Sequence, residues 1–126
     1  MKVLYIGHYK EGTGWSHAAH GLISAMDNVG IDVVCRNVQI SEPKEVPDRI
    51  LQLEKKDTQN VDFCIQHVLP NFMVGTDRFK KNIAYTVWET ESLANHKWLN
   101  YVNLMDEIWV PCEDNKQSLI NAGIQN

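Results

Sequence analysis

Lys2-Val3-Leu4-Tyr5-Ile6-Gly7 opens the chain, and Ile31-Asp32-Val33-Val34-Cys35-Arg36 follows after one helix's length of intervening sequence. Both runs are short, apolar and rich in strand-favouring residues, the composition of strands buried on both faces of a parallel sheet. Between them Trp15, Ala18, Ala19, Leu22, Ile23 and Met26 recur at helical spacing. Gly30 stands where a helix C-cap glycine belongs, so the spacing predicts a helix over roughly 16–29. Strand, loop, helix and strand in this order mean a right-handed crossover and a parallel pair.

The same pattern extends outward. The stretch 37–47 carries Pro43 and Pro47 and reads as loop; Asp48 to Lys56, with Ile50, Leu51 and Leu53, reads as a short helix. Val61 to Val68 is a third strand stopped by Leu69-Pro70, and 71–81 has no period and reads as an irregular connection. Ile83 to Trp88 is a fourth strand, and Asn95 is placed to cap a helix bearing Trp98, Leu99, Val102 and Met105. Glu107 to Val110 is a fifth strand ended by Pro111. A last helix from about Cys112 to Asn121 has Glu113 and Asp114 in its first turn and closes at Gly123. Five strands alternating with helices predict a doubly wound parallel α/β sheet, in its simplest order 3-2-1-4-5.

Composition bounds the function classes. At 126 residues the chain is one domain. Twelve Lys and Arg against sixteen Asp and Glu leave a net charge of −4, which argues against nucleic acid as a partner. No apolar run is long enough for a transmembrane segment, and Met1-Lys2 leads into a strand without a secretory leader. Cys35, Cys64 and Cys112 are odd in number and form no C-x-x-C pair, the pattern of reduced thiols in a cytoplasmic protein.

Ligands of open α/β sheets bind beyond the carboxyl ends of the strands, where strand order reverses. In the expected order these are the loops after strands one and four. The first runs from Gly7 to Ser16, and its Gly12-Thr13-Gly14 permits close backbone approach at the start of a helix, suiting a phosphate or a sugar hydroxyl. Lys10 and Arg36 are the basic residues placed to assist an anion there. A dinucleotide fingerprint is not met: His17 holds the third glycine position, and Arg36-Asn37 stands where an acidic ribose ligand belongs. His8, His67 and Glu89 fall at the ends of strands one, three and four, a reasonable acid/base constellation. His17 and His20 lack a third ligand, so no metal is expected. Trp15 and Trp88 flank the same crevice and suit stacking on a sugar ring.

Three segments, in order, resemble the amino-terminal part of bacterial family 4 glycosyltransferases. They are Lys2 to Gly7 with its Gly12-Thr13-Gly14 loop, Asn82 to Thr90 containing Trp88-Glu89-Thr90, and Asp106-Glu107-Ile108-Trp109-Val110-Pro111 before a helix. The resemblance implies the retaining GT-B architecture, two Rossmann-like domains facing across a cleft, with residues 1–126 as most of the acceptor-side domain. A carboxy-terminal domain holding the nucleotide-sugar and a glutamate pair, and the strand after Asn126, would lie outside this stretch. It further implies a nucleotide-sugar donor, a carbohydrate or lipid-linked acceptor, and no cofactor or bound metal. Gly12, Thr13, Gly14, Trp15, Trp88 and Thr90 would bind substrate. Many members carry a histidine after the fourth strand, where this chain has Glu89; Glu89 is its natural replacement and His67 a second one. Cys112 stands where the family often has a serine cap. The fragment alone is expected to be inactive, compatible with peripheral membrane contact, and to self-associate through the exposed edge of the fifth strand.

The alternative is a small α/β binding module of flavodoxin or receiver type recognising a phosphate-bearing ligand or partner. A receiver needs clustered acids after strand one, where this chain has Gly7-His8-Tyr9-Lys10. A flavodoxin needs a Ser/Thr-rich loop, which 12–16 imitates only in part.

Overall fold

A computed structural model describes residues 1–12, 14–86, 99–110, 113, 116, 117 and 120. The elements are β1 (Lys2–Gly7), α1 (Gly14–Asn28), β2 (Asp32–Asn37), α2 (Asp48–Glu54), β3 (Phe63–His67), a 3-10 turn (Pro70–Phe72), β4 (Lys81–Tyr85), α3 (Leu99–Val102) and β5 (Glu107–Trp109). Gly30 terminates α1 as its position in the sequence demands. It adopts a positive φ of 88°. Its N–H bonds the Asp27 carbonyl while that of Ile31 bonds Met26, closing the helix with both backbone bonds of a Schellman motif.

All pairings in the five-stranded sheet are parallel. Strand alternation divides its side chains between two cores. Val3, Tyr5, Val33, Cys35, Ile65 and Ile83 meet Ala19 and Ile23 of α1 and Ile50 and Leu53 of α2 on one face. Leu4, Val34 and Cys64 form a cluster on the other, where Ala84 packs with Met73, Val102 and Met105 around the 3-10 turn and α3. Ile23 is fully enclosed, so its truncation to alanine costs on the order of 2–5 kcal/mol. Burial also raises the thiols, that of Cys64 to about 12, and leaves both described cysteines reduced and inert.

The strand order corrects the expectation: it is β2-β1-β3-β4-β5, not 3-2-1-4-5. Two sets of polar contacts account for the difference. On the outer side of β2, Arg36 donates to the carbonyls of Glu54 and Lys56, and Lys56 pairs with Asp32, so the end of α2 lies there. On the inner side, the Lys2 N–H donates to the Asp62 carboxylate at 3.0 Å and the Asp62 N–H returns to the Lys2 carbonyl at 2.9 Å. That reciprocal pair delivers β3 beside β1, with Gly7 opposite His67. The chain is a Rossmann-like α/β domain whose strand order reverses between β1 and β3. Among the described residues no helix is long and apolar enough to cross a membrane.

Candidate functional site

The reversal brings the carboxyl ends of β1 and β3 side by side, and aromatic rings converge there. The His67 ring lies 4.5 Å from that of Tyr85 on β4, 5.4 Å from Trp15 on α1 and 5.9 Å from Tyr5 on β1, between centroids. His8 meets Trp15 edge-on at 5.4 Å and Phe72 of the 3-10 turn at 5.8 Å. His8 and His67 are buried, whereas Trp15 is half-buried and Phe72 is 39% exposed, so the tryptophan and the phenylalanine form the outer rim.

The two histidines differ in what they are tied to. The Nδ1 of His8 is 2.6 Å from the Val38 carbonyl, which can only accept, and its Nε2 is 3.0 Å from the Leu69 N–H, which can only donate. The ring is therefore neutral with its hydrogen on Nδ1, and both nitrogens are spent on backbone. His8 clamps the loops after β2 and β3 together and has no nitrogen left for acid/base work. His67 is tied instead to a side chain, the Tyr5 hydroxyl, through Nδ1. Burial, with the nearby His8 adding to it, pushes the His67 imidazole down to about 4.

The glycine loop is held from outside the sheet. Asn37 at the end of β2 accepts from the N–H groups of both Tyr9 and Lys10, and the Lys44 N–H bonds the Lys10 carbonyl. The Glu11 carboxylate accepts from Ile40, and the Ser16 hydroxyl and His20 both donate to the Tyr9 carbonyl. Gly14 is exposed at the start of α1, and a Cβ added there would meet nothing within 4 Å among the described residues. Neither packing nor a positive φ calls for glycine at that position. A side chain at Gly12 would touch only the aliphatic stem of Lys44.

Two expected anion helpers are committed elsewhere. Lys10 pairs with Glu54 at 2.7 Å, and the Arg36 guanidinium caps main-chain carbonyls. The Glu54 carboxyl, although partial burial works to raise it, is held low by hydrogen bonds from Lys10 and from the Tyr9 hydroxyl. His17 is exposed and His20 is bound to the Tyr9 carbonyl; among the described residues no group of three or more His, Cys, Asp or Glu could hold a metal ion.

Of the residues the sequence singles out, His8, Gly12, Gly14, Trp15 and His67 come to this end of the sheet. Thr13, Trp88, Glu89, Thr90 and Cys112 lie outside the described residues. Tyr5, Phe72 and Tyr85 are members that sequence reasoning missed. Tyr5 and Tyr85 read as strand core, and Phe72 fell in a segment without period. A cavity of about 450 Å³ lies at the opposite end of the strands, lined by Met1, Lys2, Asp32, Asp57, Gln59, Asn60 and Asp62. Its carboxylates are paired with Lys2, Lys56 and Lys80, so it is a solvated ion-pair rim without converging reactive groups.

The fold and the rim define the class: a Rossmann-like domain with aromatic rings gathered at the β1/β3 reversal. No family model matches the chain, and no curated protein or solved structure matches it.

Proposed function

We propose that this domain binds carbohydrate and serves as the acceptor-side, amino-terminal domain of a cytoplasmic glycosyltransferase of GT-B type. The observation that carries the reading is the convergence of Trp15, Phe72 and neutral His67 at the end of the sheet where α1 begins at exposed Gly14. Half-exposed rings suit the apolar faces of a sugar, and an uncharged imidazole at a helix N-terminus suits its hydroxyls. The commitment of Lys10 and Arg36 to internal partners favours a neutral ligand group over a phosphate at this position. The resemblance in 2–14, 82–90 and 106–111 supports sugar transfer as the reaction, with a nucleotide-sugar as donor and a carbohydrate or lipid-linked acceptor. Catalysis then requires a donor-binding wall facing this domain, because positioning two substrates supplies much of the rate.

A second reading has one observation in its favour. The order β2-β1-β3-β4-β5 is that of flavodoxin-like and receiver domains, which bind at the same reversal. Lys44, beside Gly12, would be the cation for a phosphate-bearing ligand.

Amide spectra of the labelled 126-residue chain separate the two. Methyl α-D-glucopyranoside is expected to bind weakly and shift resonances of Gly12, Gly14, Trp15, His67 and Phe72. A response to flavin mononucleotide or inorganic phosphate at Gly12 and Lys44, with none to the glycoside, would overturn the sugar reading.

A further inference from the structure

Tyr5 and His67 are 62 positions apart in sequence and meet only because β3 enters the sheet next to β1. Tyr5 is completely buried, and Gly7, two residues on along the same face of β1, stands directly opposite His67. A Cβ on Gly7 would lie 2.6 Å from Tyr5 Cε1 and 3.3 Å from its hydroxyl oxygen. The phenol therefore lies over the Gly7 backbone, in space that only glycine leaves, and its hydroxyl reaches Nδ1 of His67.

The direction of that hydrogen bond follows from the surroundings. Burial raises the Tyr5 phenol far above its ordinary value, with the neighbouring Tyr85 adding to it, so the O–H keeps its hydrogen. Among the described residues that hydrogen has no acceptor other than Nδ1, and a buried donor left unpaired is costly. The phenol donates and Nδ1 accepts. A neutral imidazole that accepts at Nδ1 carries its hydrogen at Nε2.

We propose that Tyr5, seated by Gly7, is a positioning residue that fixes His67 as the Nε2–H tautomer, so that His67 serves the ligand end as a hydrogen-bond donor and not as a base. This rests on the carbohydrate reading for its ligand, a hydroxyl or ring oxygen. The tautomer itself does not depend on that reading. With the Nδ1 lone pair engaged by the phenol and Nε2 protonated, the ring turns an N–H and not a lone pair toward the ligand, and a general base would have to come from another residue.

The test is long-range proton–nitrogen correlation of the imidazoles in the labelled chain at neutral pH. Wild-type His67 is expected to show a protonated Nε2 and an unprotonated Nδ1. Tyr5→Phe, which keeps the ring and removes the hydroxyl, should reduce that tautomer preference roughly five- to tenfold, the ratio one net hydrogen bond supports. Gly7→Ala keeps the hydroxyl but displaces the phenol and should produce the same loss; methyl spectra of the core report whether each variant is folded. A hydrogen found on Nδ1 in the wild-type protein, or an unaltered tautomer in folded Tyr5→Phe, would overturn the proposal. Saturation with methyl α-D-glucopyranoside should then move the Nε2 resonance. Nε2–H confirmed with no glycoside response anywhere counts against the sugar reading and leaves the role of Tyr5 intact.

Discussion

The side-chain amide of Gln66 makes both hydrogen bonds of a strand pair with the backbone of Val74: Nε2 donates to the carbonyl and Oε1 accepts from the N–H, each at 2.8 Å. Gln66 is buried on β3, and the neighbouring buried Asn82 on β4 donates to the Thr76 carbonyl at 2.6 Å. Two strand amides thus replace the ladder that 73–76 lacks and hold the irregular segment behind Phe72 against the sheet.

Replacing Gln66 with methionine keeps the volume and removes both bonds to the N–H and carbonyl of Val74, a residue whose side chain is exposed. The expected loss is about 1–3 kcal/mol, read as a lower urea midpoint with unchanged slope. The ring of Phe72 should lose its edge contact with His8, seen as altered His8 ring-proton shifts. A variant as stable as the wild type would show that 73–76 holds itself.

His8 is expected to matter for folding and not for ligand chemistry. His8→Phe takes the buried imidazole away from the Val38 carbonyl and the Leu69 N–H, both on half-buried residues, and should cost about 1–3 kcal/mol. Glycoside affinity of the remaining folded protein, measured in conditions where it is fully native, should stay within about threefold of wild type. A loss of affinity with full stability would return His8 to the ligand end as an active group.

Much of the fold was readable because its signals are local. The run Lys2 to Gly7, the helical spacing from Trp15 to Met26 and Gly30 each fix their element without reference to the rest of the chain. The neighbour of β3 was not readable, because it depends on Asp62 meeting Lys2 and on Arg36 reaching the end of α2, contacts between residues far apart in sequence. The ligand end divides the same way. Gly12, Gly14, Trp15 and His67 sit at element ends and could be named in advance; Tyr5 and Tyr85 alternate into the sheet and look like ordinary core. The one available signal was an aromatic and a glycine at Tyr5 and Gly7, two apart on one strand face, which marks a ring lying along the backbone.

Acid should weaken the fold through His67. Its value is about 4 in the native state against 6.5 for an unperturbed histidine, so between these the unfolded chain binds more protons and stability rises with pH. The contribution is complete above about pH 6.5 and is lost as pH falls towards 4, amounting to about 2–3 kcal/mol by pH 4.5. Among the described residues the groups facing the ring are Tyr5, Tyr85, Trp15 and His8, none of them an anion that would favour its charged form. Urea midpoints of wild type and His67→Gln across pH 4.5–7 check this: the variant should lose that part of the slope, and equal slopes would refute it.

Gly14 separates ligand approach from stability. A Cβ there, at the first turn of α1, meets nothing within 4 Å among the described residues, and its backbone is not in the left-handed region. The Cβ of Gly14→Val therefore has room, and removing glycine's freedom in the unfolded chain offsets the lower helix preference of a β-branched residue. Thermal midpoints of the two proteins should agree within about 2–4 °C, the shift expected from less than 1 kcal/mol in a domain of this size. The isopropyl group would, however, cover the backbone N–H groups that begin the helix and stand beside Trp15 on the approach to His67. Affinity for methyl α-D-glucopyranoside should fall about tenfold or more, since a buried ligand oxygen would lose its donor without a replacement. A stable Gly14→Val protein that binds the glycoside as well as wild type would place the sugar away from this loop, and would leave the glycine as a feature neither packing nor binding requires.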